Sequence, residues 1–534
     1  MKNGARYRIF LLLLGWLVLP FIFLGCSEEE NPPIDKEPFV RLLEDQKMHS
    51  VILNGSIEYA VLLPVGYNES EDEYPVVYLL HGYGDDETAW YKNGSIQYYV
   101  DKYSSEITPM IYVMPQGFNR YYIDKYNGRF SYMQMFVNEL VPAIDERYRT
   151  KADKTQRAVM GYSMGGYGAV ILPAMNPEVF SIGIPLSMSF RTDEQYRAES
   201  QSSFDNQWAP NFGPYLGASG EERLSDYFKA HSPFHFFDQE DVSIYNDLKF
   251  LIDCGDDEET LSNTNDDLHA LMRDRQIAHE YRVRSGGHSF EYWKKSYPEA
   301  LKFISNAVQG IEHPSEPVPF DLGTLIGNND FEQLEVSGLT LNILKPMGYE
   351  ETVEEYSVLY LIHDAEGGDR TERVIDVFSL LRNAMISSKL TTSIVVEIPD
   401  SENLDNDLMQ EIISQVDTEL RTKENGVDRV MMANAQGGIR ATTFVTSNPD
   451  QFGSCFLICG ALPEGSIETN AGIFYYLDIT DDCGGYNGYN NLYSQIRAEG
   501  IEYEYRVRQG GESYQSFLNG LGESLASLKQ SLKN

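Results

Sequence analysis

The stretch Gly161-Tyr162-Ser163-Met164-Gly165-Gly166-Tyr167-Gly168-Ala169 decides the fold that we expect of this 534-residue chain. It has the small-x-Ser-x-small pattern of a nucleophile elbow, in which a serine lies on a tight turn between a strand and a helix. The glycines are needed because both chain segments pass close to the serine and leave little room for a Cβ atom. Such a turn exposes Ser163 Oγ and directs the Met164 N–H, at the start of the helix, toward a developing oxyanion.

A reactive serine needs a base, and His288 is the histidine that the sequence favours. It follows a predicted strand, His279-Glu280-Tyr281-Arg282-Val283-Arg284, and the flexible pair Gly286-Gly287. His288 is therefore expected on a loop at the end of a strand, which is where open parallel sheets place their chemistry. From there an imidazole can take the proton of a serine hydroxyl.

The acid that orients this base is expected just after the buried strand Phe250-Leu251-Ile252. Carboxylates begin where that strand emerges, and the residues alone leave Asp256, Asp257 and Glu258 as candidates. Since crowded carboxylates repel one another, most of them should be solvated and only one should contact the imidazole.

A further buried strand, Val76-Val77-Tyr78-Leu79-Leu80, ends in the turn His81-Gly82-Tyr83-Gly84. In proteins whose reactive serine lies on a nucleophile elbow, such a turn supplies the second backbone N–H of the oxyanion hole. His81 is expected to be a structural residue rather than a general base, because the backbone of the turn is the functional part.

Together these motifs resemble those of the esterase-D family, which includes S-formylglutathione hydrolases, enterochelin esterases and the feruloyl and acetyl-xylan esterases of carbohydrate esterase family 1. The resemblance covers about residues 40–310. It implies an α/β-hydrolase fold with Ser163 as nucleophile, His288 as base, and the N–H groups of Tyr83 and Met164 as the oxyanion hole. It also implies a serine carboxylic-ester hydrolase that needs no metal and no other cofactor.

One position departs from the family pattern. The acid of the family is usually an Asp three residues after the strand-end glycine, and this chain has Glu258 there. Glutamate serves as the triad acid in some α/β-hydrolases. Glu258 is therefore slightly favoured, and Asp257 remains the alternative if the loop takes a different register.

The second half of the chain repeats motifs of the first half. Leu63-Pro64-Val65-Gly66-Tyr67 recurs as Lys345-Pro346-Met347-Gly348-Tyr349, and Glu280-Tyr281-Arg282-Val283-Arg284 recurs as Glu504-Tyr505-Arg506-Val507-Arg508. Internal repeats of this kind indicate a duplicated structural unit. We therefore expect two α/β-hydrolase-type domains in tandem, each a mostly parallel sheet flanked by helices.

The repeat has lost the reactive residues. Ser163 corresponds to Ala435, and His288 corresponds to Glu512. Alanine cannot attack a carbonyl group, and glutamate cannot replace imidazole at neutral pH without a large change in pKa. The second domain is therefore predicted to be a pseudo-esterase. Its expected role is ligand binding, for example of a polysaccharide, packing against the first domain, or no separable role.

The predicted organisation has five parts: residues 1–26 as a lipoprotein signal with a lipidated Cys26, 27–39 as an acidic tether, 40–311 as the catalytic domain, 312–319 as a Pro-rich linker, and 320–534 as the pseudo-esterase domain. The second domain is smaller, and most of its missing residues correspond to about residues 190–245. That aromatic-rich stretch is predicted to form a cap over the site. Its aromatic side chains, and those of residues 121–132, are expected either to face the substrate or to pack the cap.

The N-terminus has the pattern of a lipoprotein signal. Lys2, Arg6 and Arg8 precede an apolar run that ends at Gly25-Cys26, and an N-terminal anchor helix is the alternative. After cleavage Cys26 would be followed by Ser27-Glu28-Glu29-Glu30, which resembles the surface-export signal of Bacteroidetes lipoproteins. We therefore expect a protein anchored by lipid on the outer-membrane surface of a Gram-negative bacterium.

The net charge of −39 argues against nucleic acids and anionic membrane surfaces as partners, so that membrane contact is expected through the lipid anchor only. Cys254, Cys455, Cys459 and Cys483 have no disulfide-framework spacing and are expected to be free, buried thiols. The expected substrate is a feruloyl or acetyl ester of a plant polysaccharide or oligosaccharide. The alternatives are a small-molecule or siderophore-type esterase and a non-catalytic glycan-binding surface lipoprotein.

Overall fold

The computed structural model describes residues 40–258, 260–314, 318–363, 369–462, 465 and 467–532. The predicted signal and acidic tether lie outside the described residues, and so do three residues of the predicted linker. Residues 41–534 fall in one compact unit. Within the described ranges, no helix combines the length and the apolar character that a membrane span requires.

The first half of the chain alternates strands with helices. Its strands are β1 (Leu42–Ser50), β2 (Gly55–Leu62), β3 (Val76–Leu80), β4 (Ile111–Pro115), β5 (Arg157–Tyr162), β6 (Ile182–Leu186), β7 (Lys249–Gly255) and β8 (His279–Arg284). Its helices are α1 (Ala89–Lys92), α2 (Ile96–Lys102), α3 (Tyr132–Met135), α4 (Val141–Arg147), α5 (Met164–Met175), α6 (Asp193–Ala198), α7 (Gln201–Ser203), α8 (Ala209–Phe212), α9 (Asp226–Ala230), α10 (Pro233–Phe236), α11 (Thr260–Asp274) and α12 (Phe290–Val308). Strands β3, β4, β5 and β6 are buried along their whole lengths, as expected where helices cover both faces of a parallel sheet.

The second half follows a similar order of elements. Its strands are β9 (Glu332–Val336), β10 (Leu339–Leu344), β11 (Val358–His363), β12 (Ile394–Pro399), β13 (Arg429–Ala435), β14 (Ser454–Gly460), β15 (Phe474–Thr480) and β16 (Tyr503–Arg508). Its helices are α13 (Arg370–Ile386), α14 (Asn406–Glu419), α15 (Gly437–Ser447), α16 (Tyr486–Ala498) and α17 (Tyr514–Ser531).

All these strands join in a single 16-stranded sheet with the order β1-β2-β4-β3-β5-β6-β7-β8-β16-β15-β14-β13-β11-β12-β10-β9. Each half has the same order when it is read outward from the centre, and within each half the inner strands pair in parallel. The halves meet where β8 and β16 pair antiparallel at Val283 and Val507. The predicted α/β class is confirmed. The division into two domains stays a prediction, because the sheet continues through both halves.

The connection between β6 and β7 folds into the short helices α6–α10 around an aromatic cluster. Trp208, Tyr196 and Phe228 are fully buried, and the rings of Tyr196 and Phe228 stack with their centroids 3.9 Å apart. Tyr121 and Tyr122 are also fully buried. Most of the aromatic side chains of this region therefore pack the interior, which is the second of the two roles that the sequence left open.

The cysteines of the described residues are free and buried. Cys254, Cys455, Cys459 and Cys483 form no disulfide, as the sequence predicts, and Cys26 lies outside the described residues. Burial raises the pKa of the Cys254 thiol well above its usual value. Such a thiol is protonated at neutral pH and hence poorly nucleophilic.

A buried carboxyl group lies where the two halves meet. Asp266 Oδ1 accepts hydrogen bonds from the hydroxyls of Tyr281, at 2.8 Å, and Tyr486, at 2.9 Å. Burial raises the pKa of Asp266 to about 7, whereas an aspartate in an unfolded chain has a pKa of about 3.9. Between those two values the folded state holds a proton that the unfolded state releases, so the free energy of unfolding decreases as the pH rises.

The variant Asp266→Asn should remove this pH dependence, because asparagine keeps the shape and an acceptor oxygen but does not titrate. Between pH 5 and pH 8, the free energy of unfolding of the wild type should fall relative to the variant by about 2–3 kcal/mol. Chemical denaturation of both proteins at the two pH values measures the difference. If the free energy of unfolding changed equally with pH in the two proteins, Asp266 would not be the group responsible.

Candidate active site

The elbow predicted from the sequence is formed by the end of β5 and the start of α5. Ser163 has φ 58° and ψ −118°, a strained conformation for a residue other than glycine. A Cβ on Gly161 would lie 2.2 Å from the Gly165 carbonyl oxygen, and a Cβ on Gly165 would lie 2.2 Å from the Leu80 carbonyl oxygen. The glycines thus allow α5 to pack directly on β3 and β5, and this packing fixes Ser163 at the carboxyl end of the sheet.

The turn after β3 lies against the elbow. A Cβ on Gly82 would be 3.4 Å from the Cβ of Ser163. The Gly84 N–H donates to Asn119 Oδ1 at 2.6 Å, and the Asp85 N–H donates to the Gly82 carbonyl at 3.2 Å. These bonds hold the backbone on both sides of Tyr83. Met164 is the first residue of α5, where helix N–H groups have no partner within the helix.

His81 is a structural residue of this turn. Its ring is fully buried, and Nε2 lies 2.7 Å from the Gly117 nitrogen while Nδ1 lies 2.8 Å from the Gly82 oxygen. Nε2 therefore accepts and Nδ1 donates, and burial lowers the pKa of the imidazole. The side chain ties β3 to the segment after β4, in agreement with the role expected from the sequence.

Glu258 and His288 are in direct contact. His288 Nδ1 lies 2.7 Å from Glu258 Oε2, and the glutamate side chain is fully buried while 39% of the histidine side chain is exposed. Because Nδ1 faces a carboxylate, it carries the proton and leaves Nε2 as the acceptor. Asp257, the alternative acid, is exposed on the same loop.

The second oxygen of Glu258 has its own partners. Oε1 accepts from the Ser187 hydroxyl and from the Gly255 N–H, the latter at 3.2 Å. Ser187 Oγ in turn accepts from Trp293 Nε1 at 2.8 Å. Sequence reasoning missed Ser187 and Trp293, and the only local signal was the position of Ser187 directly after β6.

The segment that follows β6 joins the acid to the elbow. The Ser163 N–H donates to the Leu186 carbonyl at 2.9 Å, and the Ser189 N–H donates to the Ser163 carbonyl at 3.0 Å. Ser187, which lies between them, binds Glu258. On the other side, Trp293 stacks on Tyr162 with ring centroids 4.3 Å apart and contacts the His288 ring edge-to-face at 5.1 Å. The serine, histidine and glutamate are thus tied to the same frame.

Within the described residues, Ser163 Oγ makes no hydrogen bond to His288. Catalytic hydrogen bonds of this kind are often long in a substrate-free protein and shorten when the substrate is bound. The exposed imidazole lies on a loop with two glycines, of which Gly286 has φ 140°.

An open groove of about 310 Å³ borders the turn after β3. It is lined by Asp85, Gln116, Phe118, Asn119, Arg120 and Phe130. The Arg120 guanidinium lies over the ring of Phe130, 5.7 Å from its centroid. Two larger cavities, of about 650 and 670 Å³, lie at the junction of the two halves and are not lined by Ser163 or His288.

The equivalent elbow in the second half keeps the backbone but not the chemistry. Ala435 has φ 44° at the end of β13, and the Ala461 N–H donates to the Ala435 carbonyl at 2.7 Å, as Ser189 does to Ser163. Cys459 has φ 48°, like Ser187 with φ 49°. Glu512, at the position of His288, is exposed.

Removing the Ser187 hydroxyl should loosen Glu258. We expect Ser187→Ala to lower kcat/KM about 10- to 100-fold in a reaction that needs Glu258 to orient His288, because a hydrogen bond to a buried carboxylate is among the stronger ones. Ser181→Ala is the matched control, since Ser181 lies before the other end of β6 and donates to the Lys154 carbonyl. Equal rates for the two variants would show that Ser187 does not hold the acid.

The chain was compared with protein-family models, curated proteins and solved structures. The family model Esterase matches residues 50–304. A curated endo-1,4-beta-xylanase/feruloyl esterase of Xylanibacter ruminicola is 36% identical over 129 residues, which is 22% of this chain and 18% of that protein. A Mycobacterium tuberculosis esterase is 34% identical over 114 residues, 21% of this chain and 24% of that protein. The chain thus spans less than a quarter of the length of each of these relatives.

Solved structures also align with about half of the chain. A ferulic acid esterase is 26% identical, with a TM-score of 0.42, and the alignment covers 50% of this chain and 98% of that one. The S-formylglutathione hydrolase FrmB of Staphylococcus aureus is 19% identical, with a TM-score of 0.40, and the alignment covers 50% of this chain and 100% of that one.

Proposed function

We propose that the chain, whose residues 50–304 match the Esterase family model, is a serine carboxylic-ester hydrolase whose catalytic residues are Ser163, His288 and Glu258. The observation that carries the proposal is the contact of 2.7 Å between His288 Nδ1 and the buried Glu258 Oε2, on the frame that also holds the Ser163 elbow. This arrangement favours Glu258 over Asp257 as the acid, because the Asp257 side chain is exposed.

The reaction follows from these positions. Ser163 Oγ attacks the ester carbonyl carbon while His288 Nε2 takes its proton, and Glu258 stabilises the imidazolium through Nδ1–H. The carbonyl oxygen becomes an oxyanion and accepts hydrogen bonds from the N–H groups of Tyr83 and Met164. When the tetrahedral intermediate collapses, the alcohol leaves with the proton from His288. Water, deprotonated by His288, then releases the acid from the acyl-enzyme.

The proposed substrate is a feruloyl or acetyl ester on a plant polysaccharide or oligosaccharide. Similarity to a xylanase/feruloyl esterase supports the acyl group. The groove beside the oxyanion turn supports a carbohydrate leaving group, because it combines the rings of Phe118 and Phe130 with the polar side chains of Asn119 and Arg120. Aromatic faces with polar groups beside them suit a sugar ring.

Hydrolysis assays test the proposal. Wild-type protein and His288→Ala are compared on 4-nitrophenyl acetate, methyl ferulate and feruloylated arabinoxylan oligosaccharides. We expect wild-type activity on all three and a loss of about 10⁴-fold or more in the variant. Activity on 4-nitrophenyl acetate alone would favour the small-molecule esterase. Equal background rates for both proteins on every substrate would contradict the proposal and favour the glycan-binding alternative.

We also propose that the second half is a pseudo-esterase domain without a cap. The matching strand order and the elbow at Ala435, with φ 44°, support a shared architecture, and Ala435 and Glu512 lack the reactive groups. The connection between β14 and β15 is short, residues 461–473, where the first half has α6–α10. Packing against the first half is the role that we favour for it.

The location of the protein is a separate proposal. The residues before Cys26 and the acidic run after it support a lipid-anchored protein on the outer-membrane surface of a Gram-negative bacterium. Metabolic labelling with palmitate should label the wild type but not Cys26→Ala. Equal labelling of both proteins would contradict the anchor.

A further inference from the structure

The loop that carries Glu258 is held by the second half of the chain, and Asp256 is the point of contact. Asp256 follows β7 directly and is only 2% exposed. Its Oδ1 accepts from the Gly286 N–H at 3.0 Å, which belongs to the loop that leads to His288. Its Oδ2 accepts from Arg506 Nη1 at 2.6 Å and from the Tyr505 N–H at 3.2 Å, both on β16. The Asp256 carboxylate therefore connects the loop of Glu258, the loop of His288 and the second half of the chain.

Further contacts from the second half surround the same loop. The hydroxyls of Tyr493 and Tyr503 each lie 3.1 Å from the Asp256 carbonyl oxygen and donate to it. Beyond Glu258, at the start of α11, Arg497 donates to the Ser262 hydroxyl. The segment that contains Glu258 is thus held on both sides by groups of α16 and β16.

A second aspartate–arginine pair with the same arrangement connects the two halves of the chain. Asp481 follows β15, as Asp256 follows β7, and its Oδ2 accepts from Arg282 Nη1 at 2.6 Å and from the Tyr281 N–H at 3.1 Å. Its Oδ1 accepts from the Gly510 N–H at 3.0 Å. The loops that Asp481 joins lead to Cys483 and Glu512, not to the proposed catalytic residues. The chain therefore offers its own matched control.

We infer that Asp256 and Arg506 are positioning residues, through which the second half of the chain holds Glu258 and His288 in the geometry that ester hydrolysis requires. This inference rests on the proposed function. A displacement of about 1 Å in a catalytic group costs up to about 10²-fold in rate, and Asp256 is two residues from Glu258 and bonded to the loop of His288. In this account the second half acts on the reaction without contacting the substrate.

The charges at this contact depend on each other. Burial raises the pKa of Asp256, and the Arg506 guanidinium opposes that shift. Without Arg506 the buried carboxylate loses its counter-charge, while Asp256 Oδ1 still faces the Gly286 N–H. Lysine at position 506 would keep the charge but not the planar geometry of the guanidinium.

The test compares Asp256→Asn with Asp481→Asn in the full chain, with 4-nitrophenyl acetate as substrate. Both variants lose the charge of one aspartate–arginine pair at the same junction. We expect Asp256→Asn to lower kcat about 10-fold or more with KM within about 2-fold of the wild type, and Asp481→Asn to leave both constants within about 2-fold. Equal kcat values for the two variants, with an active wild type, would overturn the inference.

Arg506 gives a second series in case Asp256→Asn does not fold. Arg506→Gln should lower kcat more than Arg506→Lys, and the partial rescue by lysine would not be expected if the contact only filled space. If Arg506→Gln were as active as Arg506→Lys, the inference would be overturned.

Hydrogen–deuterium exchange separates this inference from the proposed function. Amides of residues 255–258 and 286–288 should exchange faster in Asp256→Asn than in Asp481→Asn. The comparison is made under conditions in which the two variants are equally stable to unfolding. If the wild type hydrolyses no ester, the esterase proposal fails, and faster exchange then still supports the contact. Equal exchange in the two variants would overturn it.

Discussion

Replacing Ser163 with alanine should lower kcat/KM for 4-nitrophenyl acetate and methyl ferulate by at least about 10⁴-fold. In the proposed mechanism this hydroxyl forms the acyl-enzyme. The variant should fold, because the second half of the chain already accommodates an alanine with φ 44° at the equivalent position, Ala435. The measurement is steady-state hydrolysis by the wild type and the variant. Their unfolding midpoints are compared as well, so that a loss of activity is not caused by a loss of stability.

The second half supplies the control for this prediction. Ala435→Ser places a hydroxyl on the equivalent elbow, where Glu512 stands in place of the histidine. We expect no gain of activity when Ala435→Ser is added to Ser163→Ala. Substantial activity in Ser163→Ala alone would remove Ser163 from the mechanism, and activity gained only with Ala435→Ser would show that the second site is competent.

Glu258→Ala should lower kcat by about 10³- to 10⁴-fold, because His288 loses the group that fixes its tautomer and stabilises its charged form. Asp257→Ala, one residue away, should change kcat by less than about 3-fold, since that side chain is exposed. The two variants form a close pair because both carboxylates lie on one loop, and of the two only Glu258 contacts His288 Nδ1.

The reverse order would reassign the acid. If Asp257→Ala lost activity and Glu258→Ala kept it, the loop would have to change register in solution. Unfolding midpoints are needed for both variants, because Glu258 is buried among the Ser187 hydroxyl and the Gly255 N–H, and its loss affects packing as well as catalysis.

The glycine pattern around Ser163 predicted the elbow because the pattern has a steric cause. A Cβ at Gly161 or Gly165 would overlap backbone atoms, so glycine at those two positions is by itself a sign that strand and helix approach closely. The histidine after β8 and the carboxylates after β7 were predicted for a related reason, since parallel strands bring their carboxyl ends to one edge.

The choice among the carboxylates depended on contacts that no local pattern encodes. Asp256 lies inward because Arg506, distant in the chain, provides its counter-charge. Glu258 then points toward His288 and Ser187. Because these partners come from the segment after β6, from β16 and from the loop after β8, the contacts of each carboxylate depend on the assembled sheet.

The sequence also predicted the repeat but not how the halves meet. Each half on its own ends in an open strand, β8 or β16, with unpaired backbone groups at its edge. In the assembled sheet the two strands pair at Val283 and Val507, and Asp481 and Asp256 accept from the Tyr281 and Tyr505 N–H groups of those edges. The aromatic residues of the connection between β6 and β7 illustrate a similar limit, because composition alone did not separate a substrate-facing wall from a packed interior.

The most direct test of the catalytic assignment is covalent trapping of the nucleophile. The wild type is incubated with a 4-nitrophenyl phosphonate ester, digested, and analysed by peptide mass spectrometry beside Ser163→Ala. We expect one stoichiometric adduct, on the peptide that contains Ser163, with loss of esterase activity in proportion to labelling and no adduct in the variant. Labelling of another residue, or full esterase activity with Ser163 labelled, would contradict it.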